Sequence, residues 1–204
     1  MESQYYRTFI GLPLRVEPSL LEARKRLMGA LSRERISWTD PDQYHITLRF
    51  LGDTMISAIE EIGNVLHARV GAHLQENLEI RRLGSFGPRK APRVIWLGFR
   101  KCRFIDTLKQ EVDQALEKCG LPPAEQKFNA HLTLGRVRHL QNLPEYYRTL
   151  DRMDRQFTGT VLSDRLVFFR SILGAKGPEY RALDEIPFRN KINLSESQST
   201  HHPS

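Results

Sequence analysis

Cysteine is scarce in this chain: Cys102 and Cys119 are the only two in 204 residues. A disulfide framework of the kind that staples small secreted domains is therefore excluded. Both cysteines fall on one amphipathic stretch, and 17 helical positions at ~1.5 Å each would hold them roughly 25 Å apart, beyond disulfide reach. No cysteine pair has metal-ligand spacing, and a reducing cytoplasm is the expected compartment. Long apolar runs are missing too. Nothing approaches the ~20 consecutive residues that a membrane span needs. Met1 to Thr8 is polar and lacks the apolar centre of a secretory leader, so no leader is expected. There is also no P-loop or lysine motif for ATP-driven ligation, and no Gly-x-Ser-x-Gly elbow for a serine nucleophile.

What is present describes a globular protein. Hydrophobic residues make up 40% and aromatics are spread along the chain, which excludes a disordered polypeptide. The length suits one domain, or two small lobes sharing a core. Lys and Arg number 31 against 24 Asp and Glu, a formal charge of +7. That balance favours a polyanion such as nucleic acid, but the positive residues are scattered and composition alone does not select the partner.

Residues 7–14 read as a first strand. Pro18 stands where a helix begins, and Leu20, Ala23, Leu27, Met28 and Leu31 form its apolar stripe through about residue 32. Pro41-Asp42 signals a turn, and 44–51, Tyr-His-Ile-Thr-Leu-Arg-Phe-Leu, a strand ended by Gly52-Asp53. Ile59, Ile62, Leu66 and Val70 predict a helix over 56–70. Strands are expected at 78–86 and 93–99, joined by a basic loop with two prolines. Ile105, Leu108, Val112 and Leu116 mark a third helix, closed by Gly120 and Pro122. A strand at 130–137, a short helix at 143–153, one or two strands over 157–172 and a last strand at 179–188 follow. The polar tail 191–204 is expected to be disordered, leaving 1–190 as a single domain.

Strand–helix–strand thus occurs twice, as 7–14, 18–32, 44–51 and as 93–99, 102–118, 130–137. Each second strand carries His-x-Thr-Leu. This weak duplication predicts an α+β fold of two similar lobes related by an approximate twofold, with antiparallel sheet inside, helices outside and a central cleft.

A strand alternates faces with period two. His45 and Thr47 therefore share one face and Ile46 and Leu48 the other; His131, Thr133, Leu132 and Leu134 repeat the pattern. If the lobes face each other, two imidazoles and two hydroxyls converge. Cleaving a phosphodiester needs a proton acceptor for the attacking water and a proton donor for the departing alkoxide. Histidine serves either role near neutral pH, and threonine hydroxyls can donate to the non-bridging oxygens. A catalytic zinc prefers three protein ligands, commonly with a carboxylate or a third histidine, and the motifs offer threonine instead. No metal and no cofactor are therefore expected. His67, His73 and His139 read as solvated surface residues. The two motifs are nearly symmetric, so the residues alone do not order donor and acceptor.

At these residues the chain resembles the two-histidine (2H) phosphoesterases, and most closely the RNA 2′,3′-cyclic phosphodiesterases, also called 2′-5′ RNA ligase-like proteins. The likeness spans about 6–188. It includes Arg-Thr-Phe-Ile-Gly-Leu-Pro at 7–13, Tyr-His-Ile-Thr-Leu-Arg-Phe-Leu-Gly at 44–52, Gly-Ser-Phe-Gly at 84–87, Arg-Val-Ile-Trp-Leu-Gly at 93–98, Phe-Phe-Arg-Ser at 168–171 and Tyr180. The resemblance implies opening of a 2′,3′-cyclic phosphate at an RNA 3′ end to leave a 2′-phosphate. It implies that His45 is the proton donor and His131 the acceptor, with Thr47, Thr133 and Arg136 near the phosphate. The family often has Pro before the second histidine; here Ala130 stands there, where proline would only stiffen the strand entrance. Parity alone puts Arg136 opposite His131, unless a bulge at Gly135 turns it inward. Arg49 has cleft-facing parity, at the rim. The expected partner is an RNA with a cyclic phosphate end, bound by a cytoplasmic monomer. The alternatives are a phosphodiesterase for small nucleotide cyclic phosphates or 2′-5′ linkages, and a non-catalytic RNA-end binding module.

Overall fold

The computed structural model describes residues 4–124, 127–174 and 177–190; the tail expected from 191 lies outside them. Among the described residues the order is β1 (Tyr5–Pro13), β2 (Arg15–Val16), α1 (Pro18–Ala30), β3 (Arg35–Trp38), β4 (His45–Met55), α2 (Ile59–Val70), β5 (Glu76–Phe86), β6 (Val94–Phe99), α3 (Arg103–Lys118), β7 (His131–His139), α4 (Leu143–Asp154), β8 (Thr160–Ser163), β9 (Arg165–Gly174) and β10 (Gly177–Pro187). No helix among them is long and apolar enough to cross a membrane.

Local chemistry accounts for the helix limits. Pro18 occupies the first turn of α1, where its missing N–H costs nothing. The Asn142 side chain accepts from the Glu145 N–H at the start of α4. At the end of α3, Gly120 takes φ 75°, and the N–H groups of Leu121 and Gly120 return to the carbonyls of Leu116 and Glu117. That paired return satisfies carbonyls a helix end would otherwise leave open. Ile105, Leu108, Val112, Ala115 and Leu116 form the buried face of α3.

The fold is α+β, as its strand and helix pattern predicts, with two sheets. One has the order β10-β9-β1-β4 and the other β2-β8-β5-β6-β7-β3. Neighbouring strands pair antiparallel. The stretch read as one or two strands over 157–172 divides at Asp164: β8 joins the second sheet and β9 the first. One helix crosses between the sheets. α3, which connects β6 to β7 of the second sheet, packs on β4 of the first, beside α2. α1, which connects β2 to β3 of the second sheet, packs on α4, and α4 lies on β5 of that same sheet. The sheets touch along β4 and β7. There Ile46, Leu48, Leu132 and Leu134 are buried, as their parity predicts.

Candidate active site

The two His-x-Thr strands share an irregularity that decides which residues face the cleft. Along β1 and β4, Gly11 opposes Thr47 and Ile10 opposes Arg49, so Leu48 is an extra residue on β4. Along β6 and β7, Trp96 opposes Thr133 and Ile95 opposes Gly135, so Leu134 is extra on β7. A bulge of this kind reverses the parity of everything after it. Arg136 therefore returns to the face of His131 and Thr133, where it lines the cleft with them. Arg49 goes the other way. Parity without the bulge puts it in the cleft; in the structure it turns to α3, near the Asp113 carboxylate at 3.4 Å, and bonds the carbonyl of Pro122. Phe50, the next residue, takes the cleft-facing position instead.

The resulting trough has a volume of about 1070 Å³ and brings together His45, Thr47, His131, Thr133 and Arg136. It runs from Ser37–Asp40 to the β9–β10 hairpin. The histidines are held alike: Nδ1 of His45 lies 2.7 Å from the carbonyl of Gln43, and Nδ1 of His131 lies 2.8 Å from that of Asn129. A carbonyl only accepts, so Nδ1 carries the hydrogen in both rings and Nε2 is left to exchange a proton.

Their surroundings differ. Phe9 and Tyr180 lie 5.0 and 5.1 Å from the His45 ring, with Phe169 at 5.9 Å. Phe86 meets His131 edge-on at 4.8 Å and is itself stacked on Trp96 at 4.8 Å. Trp96 lies across two glycines: a Cβ on Gly84 would fall 2.5 Å from its ring, and one on Gly98 2.7 Å. Burial pushes the His45 pKa down from 6.5 to about 4, against the raising effect of the Gln43 carbonyl, and the charges of His131 and Arg136 lower it further. His131 is also lowered, first by burial and then by Arg136, while the Asn129 carbonyl opposes the shift. In the free protein His45 thus gives up its proton at a lower pH than its ordinary range, and the anion of a phosphate would raise both rings again.

Sequence reasoning quoted the segments that contain Phe9, Phe86, Phe169 and Tyr180 without giving these aromatics a place at the histidines. It also missed Arg138 and Ser37, which line the trough and are joined by a 3.0 Å bond from Arg138 Nε to Ser37 Oγ. β3, which carries Ser37, is too short to show alternation. The other described histidines do not line the trough. His67 is half-exposed and 3.1 Å from the Asp184 carboxylate. His73 is not solvated as expected: it is largely buried, bonded to Glu111 at 2.5 Å and packed edge-on against Phe104 and Phe188. Among the described residues no group of three or more His, Cys, Asp or Glu is placed to hold a metal. Cys102 and Cys119 flank α3 as free thiols.

Two anchored imidazoles, each with a threonine two residues on, thus face one trough where the two sheets meet. The chain belongs to the family described as LigT like phosphoesterase, whose model matches residues 10–96 and 103–180. An Aeropyrum pernix protein named RNA 2′,3′-cyclic phosphodiesterase is 32% identical over 148 residues, 72% of this chain and 83% of that protein. A Thermotoga maritima protein of the same name is 30% identical over 193 residues, 91% and 97% of the two chains. Among solved structures, a Thermus thermophilus protein superposes with a TM-score of 0.66 at 21% identity, covering 91% of this chain and 99% of that one. E. coli LigT complexed with 3′-AMP gives 0.65 at 19% identity, covering 90% and 98%.

Proposed function

We propose that this protein hydrolyses the 2′,3′-cyclic phosphodiester at the 3′ end of RNA to a 2′-phosphomonoester, by acid–base catalysis from His45 and His131 without a metal. The observation that carries the reading is the common anchoring of the two rings: each Nδ1 is committed to a backbone carbonyl, so each Nε2 is the nitrogen that moves a proton. The relatives named RNA 2′,3′-cyclic phosphodiesterase support the substrate class.

In the proposed reaction a water oxygen attacks phosphorus and its proton passes to His131 Nε2. The bond from phosphorus to the 3′ oxygen breaks, and that oxygen takes the proton held by His45 Nε2. One water is consumed and the 2′ ester remains. Thr47 and Thr133 donate to the non-bridging oxygens, and the Arg136 guanidinium offsets the charge that develops there. Such a bound anion also returns His45 to the protonated state that its donor role requires. All five side chains come from one chain, so a monomer supplies the whole site.

The test is product analysis on an oligonucleotide ending in a 2′,3′-cyclic phosphate, with EDTA-treated protein. A 2′-phosphate is the expected product, and His45→Ala and His131→Ala should each lower kcat by about 10²–10⁴. A 3′-phosphate product, loss of activity to EDTA, or full activity in either variant would overturn the reading. RNA bound tightly with no turnover across pH 5–9 would instead make the protein an RNA-end binding module.

A further inference from the structure

The trough does not end at the histidines. A second pocket of about 470 Å³ opens from Thr47 and His131 and runs between β4 and the segment leading from α3 into β7. Its walls include Arg49, Lys109, Lys127, Phe50 and Phe128.

Among the described residues the charge in this pocket is unbalanced. Arg49 and Lys109 both reach the single carboxylate of Asp113, and Arg49 also bonds the carbonyl of Pro122. Their side chains are only 10% and 11% exposed. Among the described residues two nearly buried cations share one anion, and Lys127 adds a third positive group to the wall. Taking a cation from water is costly, and one carboxylate compensates one of them. A further negative charge placed in the pocket would offset the second of them. Its apolar parts fit a nucleotide as well. Phe128 lies 5.7 Å from Lys109 Nζ. Phe50 is 70% exposed and lines both the pocket and the trough, so it stands on the ridge between them. Single-stranded nucleic acid is held by this combination of cations for the backbone and an open aromatic face for a base.

We propose that this pocket is a second nucleotide subsite, in which Lys109, Lys127 and Arg49 take the backbone phosphate adjacent to the reacting one and Phe50 supports a neighbouring base. The inference rests on the RNA-end reading of the dyad and narrows it. A mononucleoside cyclic phosphate has no second phosphate to place there, so the pocket selects an RNA end over a free nucleotide.

The experiment compares kcat/KM on a trinucleotide ending in a 2′,3′-cyclic phosphate with that on the corresponding mononucleoside 2′,3′-cyclic phosphate. Wild type should prefer the trinucleotide. Lys127→Ala, outside the Asp113 ion pairs, and Lys109→Met, which keeps the apolar stem, should each cut that preference about tenfold, chiefly through KM. The salt dependence of trinucleotide binding should flatten by roughly 0.7 in log–log slope for each phosphate contact removed. An equal loss on both substrates, or an unchanged ratio in both variants, overturns the proposal. If wild type cleaves neither substrate, the RNA-end reading fails and the subsite is read by binding alone. A labelled trinucleotide ending in a 2′-phosphate should then still bind more tightly than nucleoside 2′-phosphate in wild type and lose the difference in Lys127→Ala. No difference in wild type would sink the subsite too.

Discussion

At the scale of single residues, the two histidines are anchored by equivalent bonds and set apart by their neighbours. Phe9, Tyr180 and Phe169 surround His45, whereas His131 has Phe86 at one edge. The proposed proton roles can be separated by the leaving group. A substrate with sulfur in place of the bridging 3′ oxygen departs without needing a proton. On that substrate His45→Ala should recover most of its lost rate, and His131→Ala should stay impaired, because water still needs its acceptor. Rescue of His131→Ala alone would exchange the two roles. The burial of His45 also predicts a stability effect. The folded ring stays neutral down to about pH 4, while in the unfolded chain it takes up a proton near 6.5. Between these values the unfolded state binds more protons, so stability falls as pH drops from about 6.5 to about 4 and then levels. The full effect is up to roughly 3 kcal/mol. Urea midpoints measured at pH 7.5 and 4.5 should lie closer together in His45→Gln than in wild type; an equal gap would show that the folded site tolerates the protonated ring.

At the scale of elements, the paired bulges decide what each strand contributes. Five positions after each histidine stand Phe50 and Arg136, and both face the trough; four positions after stand Arg49 and Gly135, and neither faces it. The duplicated strands therefore deliver an aromatic ring on one side and a guanidinium on the other. Arg136→Ala should lower kcat/KM about tenfold to a hundredfold on both oligonucleotide and mononucleotide substrates, the ~1.5–3 kcal/mol of a charged hydrogen bond. A loss confined to the oligonucleotide would place Arg136 on the RNA backbone instead. Much of this was legible beforehand. Alternation in 44–51 and 130–137 located β4 and β7, and the spacing of Ile105, Leu108, Val112 and Leu116 located α3. The resemblance brought Arg136 to the site, and Gly135 signalled the bulge that turns it inward. The matching bulge at Leu48 carries no glycine, because it is set by pairing with β1, and so Arg49 was misplaced. β2 and β3 span 2 and 4 residues, too short for a period to show, and exist through pairing with β8 and β7 far along the chain.

At the scale of the molecule, the crossing of α3 and the return of β9 and β10 tie the two lobes together. The first sheet takes β1 and β4 from the N-terminal part and β9 and β10 from the C-terminal part, and its cover includes α3 from between strands of the second. The first sheet depends for its cover on a helix from between strands of the second, so it should not be stable while the second is unfolded. The tryptophans make this measurable, because Trp38 on β3 and Trp96 on β6 both belong to the second sheet. Fluorescence then follows one sheet, while far-UV circular dichroism follows the whole fold. In urea the two signals should give one midpoint and one slope, the mark of a single cooperative unit. A dichroism change that persists after the fluorescence transition is complete would mean that the first sheet stands alone, and that residues 4–190 fold as two units rather than one.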